Sequence, residues 1–289
     1  MKAPVSVFIL TFNEEANIAQ AIASLENRVE AVFVVDSGST DRTVEIAESM
    51  GATVLHNPWP GYSKQVNWAL ENCPFPTEWV LRLDADEYIT PELADEFAQV
   101  LHSAPDNISA YYIKRRFYFM DRWIRYGGYY PIWIVRLIRH GKAYCEDVAF
   151  NEHFIVTEGE ISRLQQDMIH EDRKGLQDWL LKHVKYARLE SERRQREAVE
   201  PDNKREAATS SARKTWMRKN IFLRMPLFLR PLLYFIYRYI FRLGILDGTP
   251  GLIFHFLQAF WLHFYVDSLL WESKHTQQII EKNSPKQLP

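Results

Sequence analysis

Apolar runs of strand length alternate with stretches of helical periodicity through the first hundred residues of the chain. Residues 5–10, 31–35 and 79–83 are short and largely apolar, as in strands that are buried on both faces. Between these runs, apolar residues recur every three or four positions, as in helices that place one face on a sheet. Alternating strands and helices pair in parallel through right-handed crossovers, so the pattern predicts an α/β sheet with helices on both faces.

Local signals predict where several of these helices begin and end. Asn13 is expected to cap a helix that carries Ile18 on its inner face. Gly51 is well placed to end the second helix. Thr90 is expected to cap a later helix, with Pro91 at its first position.

Polar side chains follow three of the predicted strands. Thr11 follows the first and Asp36 the second, whereas Asp84, Asp86 and Glu87 follow the strand at residues 79–83. Adjacent carboxylates repel each other unless a cation lies among them, and Mg²⁺ and Mn²⁺ prefer carboxylate oxygens. Ligands of such sheets bind beyond the carboxyl ends of the strands. Thr11, Asp36 and Asp84 are therefore expected to converge on one crevice, although an isolated acidic pair also suits a solvated turn.

The middle of the chain alternates apolar and basic residues. Residues 109–144 read as strands that complete the sheet and form a wall facing an acceptor or a membrane. Aromatic residues mixed with arginine also suit stacking on nucleic-acid bases, but the net charge of -2 argues against general nucleic-acid affinity. A second acidic group follows at residues 146–152, and in isolation it suits either a solvated loop or a general base.

Composition narrows the class of protein further. A chain of 289 residues is long enough for one large domain, or for one domain with an appendage. Cys73 and Cys145 have no paired spacing, which indicates neither a disulfide framework nor a zinc site and fits a reducing compartment. The first strand follows the N-terminus without a signal-peptide pattern, which predicts a cytosolic start. No G-x-G-x-x-G motif follows it, which argues against a dinucleotide oxidoreductase.

The composition of the C-terminal third changes twice, first to a charged stretch and then to apolar and aromatic stretches. Residues 190–205 form a charge run typical of a solvated helix or linker. Residues 221–246 and 252–271 are rich in Leu, Ile, Phe, Tyr and Trp, but prolines, arginines and other polar residues interrupt them. A membrane-spanning helix needs ~20 apolar residues with few charges, so in-plane amphipathic helices at an anionic membrane surface are predicted. A helical domain packed on the catalytic core, or an oligomer interface, is the alternative.

Three motifs in order resemble those of family-two glycosyltransferases of the GT-A fold. They lie at residues 5–15, 34–41 and 83–87 and cover roughly the first ~100 residues. The resemblance implies an inverting transferase that uses a nucleotide-activated sugar and Mn²⁺ or Mg²⁺. One departure is Ser37, because many relatives have a second acid after the first. The donor-binding set that the resemblance implies is Thr11, Phe12, Asn13, Glu14, Asp36, Lys64, Asp84, Ala85, Asp86 and Arg136.

The same resemblance implies metal and base roles. Asp84 and Asp86 would hold the ribose and the metal-bridged diphosphate, and His170 stands where enzymes of the GT-A fold often supply a histidine to the metal. A lone histidine after an apolar pair is also often structural. The segment around Glu152 is similar to one in relatives that act on the lipopolysaccharide core, so Glu152 is the predicted general base, with Asp147 as the alternative.

These expectations combine into one domain plan. Residues 1–173 would form the GT-A catalytic domain, with a nucleotide-sugar half at about 1–103 and an acceptor half at about 104–173. Residues 174–219 would form a charged helical linker, and residues 220–289 an apolar helical membrane-surface region.

The predicted function is metal-dependent, inverting transfer of a sugar from a nucleotide sugar, with UDP as the expected carrier, to a lipid-linked saccharide. The enzyme would serve cell-envelope polysaccharide or lipopolysaccharide synthesis, in the cytoplasm at the inner face of the membrane. A nucleotidyltransferase is the first alternative, but the segment after the first strand lacks the glycine-rich, basic loop that such enzymes use for the triphosphate. A non-catalytic membrane adaptor is the second alternative. The presence of Asp84, Asp86 and Glu152 together argues against it.

Overall fold

The computed structural model describes residues 2–146, 153–199 and 222–283. These residues fall into two compact units. The first unit contains the residues up to Arg125 together with Tyr129–Lys174. The second contains Tyr126–Gly128 together with the residues from Gly175 onward.

A mixed β-sheet forms the centre of the first unit. Its strands are β1 Ala3–Thr11, β2 Val29–Asp36, β3 Thr53–His56, β4 Trp79–Asp84, β5 Glu87–Ile89, β6 Ile108–Phe119, β7 Arg122–Trp123, β8 Ile132–Arg139 and β11 Glu160–Glu171, and a separate hairpin joins β9 Ala143–Cys145 to β10 Phe154–Val156. The order is β3-β2-β1-β4-β8-β6-β11-β5, with β7 paired to β6. β3, β2, β1 and β4 are parallel, as are β6 and β11, whereas β8 is antiparallel to both of its neighbours. The predicted α/β class with a largely parallel sheet is confirmed.

Helices cover both faces of this sheet. They are α1 Ile18–Ala23, α2 Thr43–Ser49, α3 Tyr62–Asn72 and α4 Pro91–Val100. Along β1, Val5, Val7 and Ile9 pack into a core with α1, α2 and α4, whereas Phe8 and Leu10 pack into a second core with α3. Successive side chains of a strand point to opposite faces, so an apolar β1 can hold helices on both sides.

Two predicted helix limits are confirmed and one is wrong. The Thr90 hydroxyl accepts a hydrogen bond from the Leu93 amide at the start of α4, and Gly51 has a φ of +83° just after α2. Asn13 does not cap α1, which begins at Ile18. Asn13 instead has a φ of 54°, and its side-chain oxygen accepts a hydrogen bond from the Thr40 amide at 2.8 Å. Asparagine tolerates this left-handed conformation, and the contact between the loops replaces the local cap.

The second unit is helical. Its helices are α5 Leu176–Val199, α6 Leu229–Ile236, α7 Gly248–His255 and α8 Leu262–Asn283. A π-helical turn, Tyr237–Phe241, continues α6, and another, Phe256–Trp261, joins α7 to α8. Among the described residues, no single helix has the length and apolar composition to cross a membrane. The bent pair Leu229–Phe241 and Gly244–Thr276 meets that criterion jointly, with a bend of 70° between its limbs.

Candidate active site

Thr11, Asp36 and Asp84 lie at the carboxyl ends of three adjacent strands. β1 pairs in parallel with β2 on one side and with β4 on the other. In this register Thr11 is the partner of Asp36, and Leu10 is the partner of Asp84. The structure therefore brings these three polar residues to one edge of the sheet, where α/β folds bind their ligands.

Asp36 organises the loop that follows β2. Its buried carboxylate accepts hydrogen bonds from the hydroxyls of Thr11 at 3.1 Å and Ser39 at 2.5 Å, and from the amides of Gly38 and Ser39, both at 2.9 Å. Burial alone would raise the pKa of Asp36, but these hydrogen bonds outweigh burial and lower the pKa. The carboxylate therefore stays ionised and holds the loop in a fixed shape at the sheet edge.

A buried glutamine supports this loop from α3. The Gln65 amide donates hydrogen bonds to the Ser37 hydroxyl at 3.1 Å and to the Asn57 carbonyl at 3.0 Å. It also accepts a hydrogen bond from the Asn57 side chain at 2.6 Å. Ser37, the residue that replaces a second acid, is thus tied to the helix. The sequence interpretation missed Gln65, whose signal was a polar residue beside the inward-facing Val66.

Phe12 presents its ring beside the Asp36 loop. The side chain is 55% exposed, although its neighbours Thr11 and Asn13 are both held by hydrogen bonds. The Asn13 amide donates to the Ser39 hydroxyl at 2.8 Å, which joins the loop after β1 to the loop after β2. An exposed aromatic ring at this edge of the sheet suits stacking on a nucleobase, and the role of Phe12 in nucleoside binding stays a prediction.

Glu14 lies in an internal ion pair. Its carboxylate accepts hydrogen bonds from the Lys174 ammonium at 2.6 Å and from the Asn17 side chain at 2.8 Å. Burial raises the pKa of Glu14, and the hydrogen bonds with Lys174 and Asn17 only partly offset this rise. The structure therefore places Glu14 between the loop after β1 and the end of β11, where it ties the two segments together.

Two arginines and a tyrosine surround Asp84. The carboxylate accepts hydrogen bonds from Arg136 at 2.6 Å, from Arg82 at 3.0 Å and from the Tyr62 hydroxyl at 2.5 Å. Both guanidinium groups are buried, whereas the Asp84 side chain is 26% exposed. Asp84 thus lies at the rim of a cationic pocket that neutralises it within the protein.

Glu87 is the buried anion beneath this pocket. One carboxylate oxygen accepts hydrogen bonds from Arg136 at 2.7 Å and Arg115 at 3.3 Å, and the other accepts one from the Asp84 amide at 3.1 Å. Burial alone would raise the pKa of Glu87, but the two guanidinium groups lower it well below its ordinary value. Arg136 therefore bridges two carboxylates, and it orders the turn that carries the acids after β4.

Four residues of this cluster were absent from the predicted site: Tyr62, Arg82, Glu87 and Arg115. A signal for Arg82 was present, because an arginine inside an otherwise apolar buried strand needs a charged partner. The contact of Arg115 with Glu87 depends on the pairing of distant strands, so no sequence pattern reveals it.

Asp86, in the turn before β5, and His170, on β11, form a second pair. β5 pairs with β11, so that His170 lies opposite Glu87. The His170 Nδ1 atom is 3.6 Å from an Asp86 carboxylate oxygen and 3.8 Å from a Glu87 oxygen, beyond ordinary hydrogen-bonding distance. The ring stacks on Phe117 with centroids 5.1 Å apart, and this contact fixes its orientation.

The Asp86–His170 pair suits a divalent cation that is coordinated by protein and substrate atoms together. Mg²⁺ is usually bound by one or two protein groups together with substrate phosphates, and Mn²⁺ accepts a similar ligand set that includes imidazole. Within the ranges that the structure describes, no group of three His, Cys, Asp or Glu side chains is arranged to hold a metal ion. The carboxylate of Asp84 is bonded to arginines instead. Asp86 and His170 are thus the residues that could hold a cation here, with the other ligands supplied by a bound substrate.

The remaining predicted residues have different positions. Ala85 is buried in the turn between β4 and β5, and Lys64 is exposed on α3. The two base candidates, Asp147 and Glu152, lie outside the described residues. Their assignment stays a prediction from the sequence.

Comparison with known proteins places this site in context. The family model for glycosyl transferase family 2 matches residues 6–160. The lipopolysaccharide core biosynthesis glycosyltransferase LpsC of Rhizobium meliloti is 33% identical over 202 residues, which cover 66% of this chain and 72% of LpsC. An uncharacterized glycosyltransferase of Rickettsia felis is 48% identical over 111 residues, which cover 38% of each chain. The chain thus matches less than two fifths of that relative's length.

A solved structure was also compared. The glucosyl-3-phosphoglycerate synthase of Mycobacterium tuberculosis, in complex with Mn²⁺, UDP and glucosyl-3-phosphoglycerate, is 26% identical. The match covers 40% of this chain and 44% of the synthase, with a TM-score of 0.33.

Proposed function

The chain belongs to glycosyl transferase family 2, and we propose that it is a metal-dependent inverting glycosyltransferase. It moves a sugar from a nucleotide sugar, with UDP as the carrier, to a lipid-linked saccharide of the cell envelope. The observation that carries the proposal is the placement of the Asp36 loop and the Asp86–His170 pair along one edge of the sheet. The Asp36 loop suits a nucleoside, and the Asp86–His170 pair suits a diphosphate held by a cation.

The residues at the donor end of the site would bind the nucleotide sugar and take no part in the reaction. The loop fixed by Asp36 and the exposed Phe12 ring would hold the nucleoside, with hydrogen bonds on one side and stacking on the other. Asp84 has exposed surface left to accept a hydrogen bond from a ribose hydroxyl, and its arginine partners hold it in a fixed orientation. These groups position the sugar without entering the chemistry.

Asp86 and His170 would hold Mn²⁺ or Mg²⁺ against the diphosphate. Bound there, the cation neutralises the negative charge that develops on the leaving diphosphate as its bond to the sugar breaks. The Phe117 ring and the strand pairing of β5 with β11 keep the two protein ligands in register.

The acceptor hydroxyl must lose a proton as it attacks the anomeric carbon from the face opposite to the diphosphate. A carboxylate on that face takes the proton, and Glu152 is the proposed base. Replacing Glu152 with glutamine is expected to lower the turnover number at least ~100-fold and to leave UDP binding unchanged, because the amide cannot accept the proton.

Single-turnover transfer assays and calorimetry with UDP would measure these two quantities. Asp147→Asn is the matched variant, since it removes the alternative base. A normal rate in Glu152→Gln together with a loss in Asp147→Asn would reassign the role.

LpsC is named for lipopolysaccharide core biosynthesis, and this name supports an acceptor that is a saccharide on a lipid anchor. Such an acceptor lies at the membrane surface, so we place the enzyme peripherally on the cytoplasmic face. The second unit supports this location with large apolar side chains that are exposed to solvent, such as Phe241 and Leu229.

A panel of nucleotide sugars would test the proposal directly. The purified chain is expected to hydrolyse one UDP-sugar slowly without acceptor, only with Mn²⁺ or Mg²⁺ present, and with inversion at the anomeric carbon. Proton NMR of the released sugar reports both the rate and the anomer. Release of the retained anomer, or pyrophosphate release from a nucleoside triphosphate and a sugar phosphate, would contradict it and would favour a different class of enzyme.

A further inference from the structure

Large apolar side chains are concentrated at the bend of the helical unit. We name residues 240–246, where the two limbs of the bent helix pair meet, the apolar corner. Phe241 is 73% exposed, and four other side chains of the corner are more than half exposed, namely Ile240, Leu243, Ile245 and Leu246. So many adjacent exposed apolar groups are unusual on a water-facing surface and mark an interaction site.

The acidic groups of this region point inward. Asp267 is buried and binds the buried Arg230, and Asp247 is buried and accepts a hydrogen bond from the Tyr126 amide at 3.0 Å. From Leu229 to Trp271, a stretch described throughout, Arg242 is the exposed residue that carries a charge. A surface that meets water or a polar protein normally carries charges of both signs. A surface with exposed apolar groups and arginine but buried acids fits an anionic lipid bilayer instead.

The ends of the two limbs carry the residues that favour the lipid headgroup region. Arg224 is exposed before the first limb, and Trp271 is 49% exposed near the end of the second. Tyr237, 44% exposed, lies between the apolar face of α6 and the corner. Arginine, tryptophan and tyrosine are enriched where a helix meets the headgroups, because each has an apolar body and a polar end.

Three backbone amides of the corner donate to carbonyls within the helical unit. The Arg242 amide donates to the Tyr237 carbonyl at 2.9 Å, and the Leu243 amide donates to the Ile240 carbonyl at 3.0 Å. The Leu246 amide donates to the Leu243 carbonyl, also at 3.0 Å. Backbone groups cannot pair with water inside a bilayer, so a bend that enters lipid must pair them internally.

The first limb is too short to cross a membrane. It has eight α-helical residues followed by five π-helical ones, about 20 Å at 1.5 Å per residue. The hydrocarbon core of a bilayer is about 30 Å thick, so this limb cannot reach the far side. With a bend of 70° after it, both limbs can lie at shallow angles to the surface, so that the chain enters and leaves on the same side.

We propose that the apolar corner inserts into one leaflet of an anionic membrane as a re-entrant wedge. Both limbs leave the bilayer on the same side, with Arg224 and Trp271 at the headgroup level, and the long Arg242 side chain reaches from the corner toward the headgroups. This inference rests on the membrane location in the proposed function and gives that location a structural basis. The occupant of the exposed apolar surface is therefore lipid, rather than a second copy of the chain.

Charged substitutions in the corner would test the insertion. The double variant Phe241→Asp and Ile245→Asp is expected to bind vesicles of phosphatidylglycerol and phosphatidylcholine at least ~10-fold more weakly than the unaltered chain, because two carboxylates would enter hydrocarbon. Leu181→Asp is the matched control, since Leu181 is an exposed leucine of α5. Co-sedimentation measures binding, and UDP-sugar hydrolysis in the same samples shows that the first unit remains folded. Equal binding by the double variant and the control would overturn the wedge.

Depth measurements would separate a wedge from helices that lie flat. Cys73 and Cys145 are buried, so the variants Ile245→Cys and Trp271→Cys can be labelled with an environment-sensitive fluorophore at the new thiol. The label at position 245 is expected to be quenched more by lipids spin-labelled in the acyl chain, and that at 271 more by lipids labelled at the headgroup. Headgroup quenching at both positions would overturn insertion.

The wedge and the proposed enzyme activity can fail separately. Hydrolysis of UDP-sugar without vesicle binding would reject the wedge alone, and vesicle binding without hydrolysis would reject the proposed enzyme activity alone.

A self-association measurement completes the test. Analytical ultracentrifugation in detergent-free buffer at several protein concentrations would detect dimers held by the corner. Dissociation of such dimers in Phe241→Asp and Ile245→Asp, with no loss of vesicle binding, would assign the corner to a second copy of the chain and overturn the proposal.

Discussion

Replacing Asp86 with asparagine is expected to lower sugar transfer about 1,000-fold. Asp86 would be the carboxylate ligand of the cation at the diphosphate, and such a cation contributes several kcal/mol to stabilising the transition state. Each 1.36 kcal/mol corresponds to a tenfold change in rate, so a loss of about 4 kcal/mol gives the stated factor. The buried anion Glu87 keeps its arginines in this variant, so the fold is expected to persist.

Calorimetric titration with UDP, in Mn²⁺ and in chelator, provides a readout that is independent of turnover. The unaltered chain is expected to bind UDP more tightly with Mn²⁺, and Asp86→Asn should lose this difference. Asp95→Asn is the matched control, because Asp95 is an exposed acid on α4 whose side chain is 75% exposed. Equal UDP affinity with and without chelator in the unaltered chain would reject the metal role. A normal metal response in Asp86→Asn would move the role to Asp84.

Replacing Arg136 with methionine is expected to destabilise the first unit by about 3–5 kcal/mol, the usual cost of removing one partner from a buried ion pair. Arg136 donates to both Asp84 and Glu87, and Glu87 is fully buried. Glu87 would keep Arg115, at 3.3 Å, and Asp84 would keep Arg82. Each carboxylate would therefore lose its shortest guanidinium contact, and this weaker compensation of the charge, rather than lost packing, would cause most of the destabilisation.

Urea denaturation followed by tryptophan fluorescence would measure this effect. Arg122→Met, at an exposed arginine of β7, is the control and is expected to change the free energy of unfolding by less than about 0.5 kcal/mol. Adding Glu87→Gln to Arg136→Met removes the buried charge as well, so it should restore part of the loss. The single variant Glu87→Gln completes the comparison. If the losses in the free energy of unfolding of the two single variants simply add in the double variant, the two groups are not coupled.

The positions of Thr11, Asp36 and Asp84 could be predicted because they follow from local pattern alone. Each follows an apolar strand, and parallel strands bring their carboxyl ends to the same edge. The identity of the partners of Asp84 could not be predicted in the same way. Arg82 is two residues away, but Tyr62 comes from a helix and Arg136 from β8, and only the packing of these elements brings them together.

Asn13 shows how tertiary contacts override a local signal. An asparagine before a periodic apolar segment is a good candidate for a helix cap. Here the loop after β2 lies close enough for the Thr40 amide to reach the Asn13 side chain, and the helix begins at Ile18 instead. The residue thus joins two loops of the candidate site, a role that depends on strands β1 and β2 being neighbours.

The sequence by itself determined the α/β class, the strand ends that carry polar residues and the family resemblance, because apolar periodicity and short motifs are local properties of the chain. Only the tertiary structure decided which carboxylates are bound by arginines and which remain suited to a cation. Asp84 and Asp86 are two residues apart and alike in sequence. Burial beside Arg82 and Arg136 neutralises the first, whereas the pairing of β5 with β11 brings the second to His170. Charge compensation in a folded protein depends on distances across the fold, and a local pattern carries no such distances.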